Sequence, residues 1–155
     1  MPFLIDSNVL IDVSRGNAAA IKYVDGLADS WALSQVTAME LIVGARDKRD
    51  LATIDGFLSL YPVIPLSDSI GTGAYRILKT YAKSHGLHVF DSLVAATAMD
   101  KALTLVTLNR KHYQMIEAFT LRCLSTKPAS QPRENRSPHS GTRAGCCFSR
   151  RNGRS

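Results

Sequence analysis

A chain of 155 residues, 45% of them hydrophobic, is long enough to close one ordinary core. No apolar run approaches the roughly 20 residues of a membrane span, and Asp6 and Asp12 interrupt the stretch a signal peptide would need, so the expectation is a cytoplasmic protein without membrane contact. The net charge of +6 sits mostly in one place: six arginines against a single glutamate lie beyond Lys127, which leaves residues 1–127 nearly neutral and removes the basic pI as an argument for a nucleic-acid-binding surface.

Three cysteines (Cys123, Cys146 and Cys147), two of them adjacent in a polar stretch, describe neither a disulfide framework nor a zinc site. A reducing compartment is the simpler reading. Residues 128–155 are rich in Pro, Ser, Arg and Gly, lack periodicity and hold almost no aliphatic side chains. They read as a disordered basic tail appended to a domain spanning 1–127.

The run Phe3-Leu4-Ile5 ends abruptly in Asp6-Ser7-Asn8. It predicts a buried strand that delivers Asp6 to the rim of a sheet, where ligands bind in open α/β folds. Asn17 to Ala28 carries apolar residues at helical spacing, with Gly16-Asn17 as entry. Trp31–Ser34 reads as a short strand. A helix follows, started by Thr37, with Glu40 at the third position of a capping box. Asp47 to Leu60 is again helical. Tyr61–Leu66 holds two prolines and is placed at a sheet edge. Ser67-Asp68 caps a long helix to His85, ended by Gly86. Asp91 precedes the alanine-rich helix Ser92–Met99. Leu103–Thr107 and Phe119–Leu124 are the last strands. Strands and helices alternate, which predicts a three-layer α/β/α sandwich around a mainly parallel sheet of four or five strands.

That order aims three acids at one place: Asp6 at a strand end, Glu40 in the helix after the second strand, and Asp91 at the start of the alanine-rich helix. Asn109 follows the strand that ends at Thr107. Each has a structural reading as well. Asp91 serves as an N-cap, worth about 1 kcal/mol; Glu40 completes the capping box of Thr37; Asn109 is a turn residue. Asp6 resists such a reading, because a carboxylate at the end of an apolar strand is costly to bury without a partner. Clustered carboxylates raise one another's pKa unless a cation neutralises them. An oxygen-only ligand set that leaves positions for water suits Mg²⁺ or Mn²⁺ rather than zinc. Such an ion lowers the pKa of a water and stabilises charge on a phosphodiester. His88 and His112 are the nearest histidines in sequence and read as structural loop residues, which argues against a histidine-based nuclease.

Four segments now stand in order: Phe3-Leu4-Ile5-Asp6-Ser7-Asn8-Val9-Leu10, Ser34–Leu41 with Gly44, Asp91–Ala98, and Leu105-Val106-Thr107-Leu108-Asn109 running on to Tyr113. Together they resemble the successive motifs of PIN-domain ribonucleases, in the variant found in the VapC toxins of bacterial toxin–antitoxin pairs. The resemblance covers about residues 1–124, and the tail has no counterpart in it. It implies a Mg²⁺- or Mn²⁺-dependent endoribonuclease of the bacterial cytoplasm, a homodimer, and a VapB-like antitoxin that blocks the acidic pocket. By position Asp6, Glu40 and Asp91 match the family's metal-binding acids, Asn109 the fourth catalytic position, and Asn8 and Thr107 supporting polar positions. Water attack in line would leave a 5′-phosphate and a 3′-hydroxyl. Arg46 is a candidate contact for substrate or antitoxin, and Lys22, Lys48, Arg49, Arg110 and Lys111 are candidate RNA contacts that a solvated face explains equally well.

Two rivals remain to be weighed. An aspartyl phosphatase needs a second aspartate where this chain has Asn8, and a receiver domain needs an acidic pair before its aspartate and a strand-end lysine, neither of which is present. A PIN-like binding module that captures a basic peptide, its nuclease activity impaired by Asn109, is the non-enzymatic alternative.

Overall fold

The computed structural model describes residues 2–27, 30–117 and 119–124, and the tail expected to be disordered lies outside them. Among the described residues five strands form one sheet: β1 (Phe3–Ile5), β2 (Trp31–Ser34), β3 (Val63–Ile64), β4 (Thr104–Thr107) and β5 (Leu121–Cys123). Their order is β3-β2-β1-β4-β5 and every pairing is parallel. The described residues between them form the helices α1 (Ser7–Ser14), α2 (Ala18–Asp25), α3 (Gln35–Val43), α4 (Lys48–Leu58), α5 (Asp68–His85) and α6 (Val89–Asp100). This is the expected three-layer sandwich, with the proline-flanked β3 at an edge where its missing donors cost nothing.

Strand alternation divides the core in two. Leu4 and Leu105 face one side, packing with Ile70, Ala74 and Ile77 of α5 and Val94 to Ala98 of α6. Ile5 and Val106, one residue on, face the other side, with Val9 and Leu10 of α1, Val24 of α2, Leu41 of α3 and Leu58 of α4. A central parallel strand is covered on both faces, which is why β2 is buried along its whole length. Trp31 within it stacks on Tyr61, with ring centroids 4.1 Å apart. On the other face the alanines of α6 let α5 approach so closely that a Cβ added at Gly73 would stand 3.4 Å from the Ala96 Cβ.

Local chemistry placed several helix ends as expected. Asn17, Asp47 and Ser67 each cap the following helix through the side chain, and Gly86 closes α5 with φ +68°. Three starts differ from expectation. Helix α1 does not figure in the sequence reading, because eight residues crowded with Val and Ile carry no clear 3.6-residue period. Helix α3 begins at Gln35 with Ser34 as its cap, its hydroxyl accepting from the Thr37 amide. Thr37 therefore lies inside the helix and Glu40 completes no capping box. Helix α6 begins at Val89, so Asp91 lies in the first turn and is not the N-cap, a position held by His88. Both acids thus lose their structural explanation. Among the described residues no helix is long and apolar enough to cross a membrane.

Candidate active site

The chain leaves β1 toward β2 on one side of it, and returns to β4 on the other. The reversal opens a crevice beyond the carboxyl ends of β1 and β4, the place where open parallel sheets bind ligands. Asp6 ends β1 and caps α1, and only 4% of it is exposed. Its Oδ1 accepts from the Ser7 amide at 2.9 Å. Its Oδ2 accepts from the Thr107 hydroxyl at 2.7 Å, the Asn8 side-chain amide at 3.0 Å and the Tyr113 hydroxyl at 3.2 Å.

Asn8 and Thr107 staple the two strand ends together. The Asn8 amide nitrogen also donates to Thr107 Oγ1 at 3.0 Å, and Asn8 Oδ1 accepts from the Leu108 amide at 3.0 Å. Thr107 Oγ1 further accepts from the Asn109 amide at 3.1 Å. The buried Thr107 hydroxyl thus spends its one proton on Asp6 and its lone pairs on Asn8 and Asn109.

Asp91, on the first turn of α6, meets the same centre from the far side. Its Oδ1 accepts from the Tyr113 hydroxyl at 3.3 Å, and its Oδ2 lies 3.1 Å from His112 Nδ1. His112 Nε2 is in turn 2.8 Å from the Asn109 side-chain nitrogen. A neutral imidazole with its proton on Nδ1 satisfies both contacts. From sequence alone His112 reads as a structural loop residue and Tyr113 carries no assigned role. In the fold, the 3₁₀ turn Arg110–His112 carries both to Asp91. The proximity of these residues to Asn109 was the available signal; the apolar look of Tyr113, which is 1% exposed and packs in the core, concealed its hydroxyl.

Glu40 is half-buried on α3. Burial raises its carboxyl above the ordinary range, opposed by a hydrogen bond with the Ser7 side chain, and the charges of Asp6 and Asp91 push it further up. Burial likewise raises Asp6, against the pull of the Thr107, Ser7 and Tyr113 hydrogen bonds, and Asp91 adds repulsion. The three acids therefore share one field. Among the described residues neither Asp6 nor Glu40 has a lysine or arginine within ion-pair distance. The donor set is hard oxygen with uncompensated negative charge, which fits a small divalent cation. Among the described residues no three acid, histidine or cysteine side chains close into a ready-made cage. Mg²⁺, which keeps several of its waters, does not require one.

The basic candidates fall on exposed surface. Arg46 turns to Asp50, with Nε 3.1 Å from Oδ2. Arg110 and Lys111 precede His112 on the 3₁₀ turn, Arg110 lining a pocket with Tyr113, Gln114 and Phe119, whereas Lys22 borders a separate groove with Tyr23, Arg122 and Leu124.

Known proteins resemble this chain in sequence and in fold. The PIN domain family profile matches residues 3–117. Ribonuclease VapC10 of Mycobacterium tuberculosis is 36% identical over 119 residues, 74% of this chain and 87% of the relative. The tRNA(fMet)-specific endonuclease VapC of Shigella flexneri is 28% identical over 122 residues, 75% of this chain and 92% of the relative. The crystal structure of DNA-bound VapBC from Salmonella typhimurium superposes with a TM-score of 0.70 at 25% identity, covering 79% of this chain and 98% of that one. The chain belongs to the PIN domain family and, within it, to the VapC ribonucleases.

Proposed function

We propose that the protein is the toxin of a bacterial toxin–antitoxin pair, a Mg²⁺- or Mn²⁺-dependent endoribonuclease of the cytoplasm that acts as a homodimer and is held in check by a VapB-like antitoxin. The observation that carries this reading is the convergence of Asp6, Glu40 and Asp91, from β1, α3 and α6, on the switch point of the sheet, where burial and mutual repulsion raise two of them. Asp6, Glu40 and Asp91 would hold the ion. Bound there, a divalent ion supplies an activated water and neutralises charge on the phosphodiester.

The remaining residues act on the acids. Thr107 and Asn8 hold Asp6 Oδ2 and leave Oδ1 with the Ser7 amide alone. Asn109 bears no charge; its amide meets His112, which meets Asp91. It is assigned to orienting water or substrate at the rim. Arg110 and Lys111, exposed on the turn that carries His112 to Asp91, suit the phosphates of an RNA strand. Helix α3, which carries Glu40, leaves Met39, Ile42 and Val43 exposed, the last by 85%. An apolar strip beside the acids supports a protein partner that covers it.

Cleavage of total bacterial RNA by the purified protein, with Mg²⁺ or Mn²⁺ and with EDTA, tests the reading. Discrete bands that need the ion, carry 5′-phosphates and vanish in Asp6→Asn are expected. Fragments ending in 2′,3′-cyclic phosphate, or cleavage undiminished in Asp6→Asn, would refute it.

A further inference from the structure

Among the described residues, Tyr113 is the one side chain whose single atom touches both Asp6 and Asp91. Its hydroxyl lies 3.2 Å from Asp6 Oδ2 and 3.3 Å from Asp91 Oδ1. The ring is 1% exposed and packs edge-on against Phe119, with centroids 6.4 Å apart. His112, the other partner of Asp91, is different in kind: 44% of its side chain is exposed, so it can swing away when a ligand arrives. Tyr113 has nowhere to go. A phenol offers one proton and cannot give it fully to two carboxylates at once.

We propose that Tyr113 is a positioning residue of the nuclease centre: its hydroxyl bridges the acid that ends β1 to the acid that opens α6, and holds the two at a spacing from which both can serve one divalent cation. The inference rests on the metal-dependent reading above. The sheet alone cannot set this spacing. Asp6 is fixed by β1 and its cap, whereas Asp91 rides on the first turn of α6, whose N-cap His88 makes no side-chain cap bond. A buried hydroxyl that shares its proton between the carboxylates also lessens their repulsion before the cation arrives. Groups of this kind, one bond removed from the ion, govern ligand orientation and ligand basicity.

The test is Tyr113→Phe, which deletes one oxygen and keeps the ring. Mn²⁺ binding to the full chain is measured by calorimetry in the absence of RNA, beside wild type and Asp91→Asn. The Mn²⁺ dissociation constant of Y113F should rise about 10- to 100-fold, with its circular dichroism spectrum unchanged. Wild-type affinity in Y113F, with D91N impaired, would overturn the positioning role and leave the metal-dependent reading standing. Absence of saturable Mn²⁺ binding by the wild type would overturn both. Should Y113F not fold, wild-type protein labelled at tyrosine ¹³Cζ decides the matter. One of the five tyrosine signals should move on Mg²⁺ titration, and five unmoved signals would overturn the proposal.

Discussion

At the scale of single residues, the centre is a problem of buried charge solved by local donors. Asp6 is tolerable in the interior because four groups donate to it, and the shortest of these bonds comes from Thr107. Thr107→Val keeps the shape and removes the hydroxyl, stranding the Asn8 and Asn109 donors and leaving Asp6 a partner short. It should cost about 1–3 kcal/mol in denaturant unfolding and weaken cleavage as well. Glu40 gives the opposite sign. Its pKa is raised in the fold, so the folded state binds more protons than the unfolded chain between the ordinary carboxylate value of 4.5 and the raised one. The stability of the metal-free protein therefore falls as pH rises through that window. Glu40→Gln should melt higher than wild type in EDTA at neutral pH and equal to it below about pH 4, where the acid is protonated in both states. A lower melting midpoint for the variant at neutral pH would contradict this account. The importance of Asp6 could be read from its position alone, since an acid ending an apolar strand needs partners. The partners could not, since Thr107 and Tyr113 lie 101 and 107 residues away.

At the scale of elements, helix boundaries were legible wherever a side chain caps its own helix, as Asn17, Asp47 and Ser67 do. They were not legible where packing decides. Helix α6 starts at His88 without a side-chain cap bond, so its first turn is held by its place over the sheet and Asp91 becomes free to face the crevice. Two glycines, Gly73 within α5 and Gly86 at its C-cap, separate backbone from packing. Gly86 has φ +68° with open space around a built Cβ. Gly86→Ala should thus cost only the left-handed strain, about 1–2 kcal/mol, seen as a lower denaturant midpoint with an unchanged slope. Gly73 has an ordinary φ but faces Ala96 at 3.4 Å. Gly73→Leu should wedge α5 off α6 and cost roughly 1–3 kcal/mol. Because α6 carries Asp91, that wedge should also lower cleavage, which Gly86→Ala should leave alone.

At the scale of the molecule, the acids are brought together by the order of strands. Every residue of the centre lies before residue 117, where the family match ends. We expect the chain cut after Lys127 to melt and to cleave RNA as the full protein does. A loss of either would give the tail a role its composition does not suggest. Mn²⁺ should raise the melting midpoint of wild type by mass action, at one hundred times its dissociation constant by about 2.7 kcal/mol of stability. Asp6→Asn should lose most of that response, and an equal response would move the ion elsewhere.

The sequence by itself determined the alternation of strands and helices, the parallel sheet, the edge position of the proline-flanked strand and the three acids. All of these follow from hydrophobic periodicity, turn residues and the cost of an acid in an apolar run, which act over a few neighbouring residues. Only the tertiary structure decided what surrounds those acids. It took Glu40 and Asp91 out of capping roles by placing the caps of α3 and α6 at Ser34 and His88, each three residues before the expected Thr37 and Asp91, and it set His112 and the Tyr113 hydroxyl against Asp91. Those contacts depend on the crossover that lays β4 beside β1, and a pairing between strands about a hundred residues apart leaves no local trace in either one.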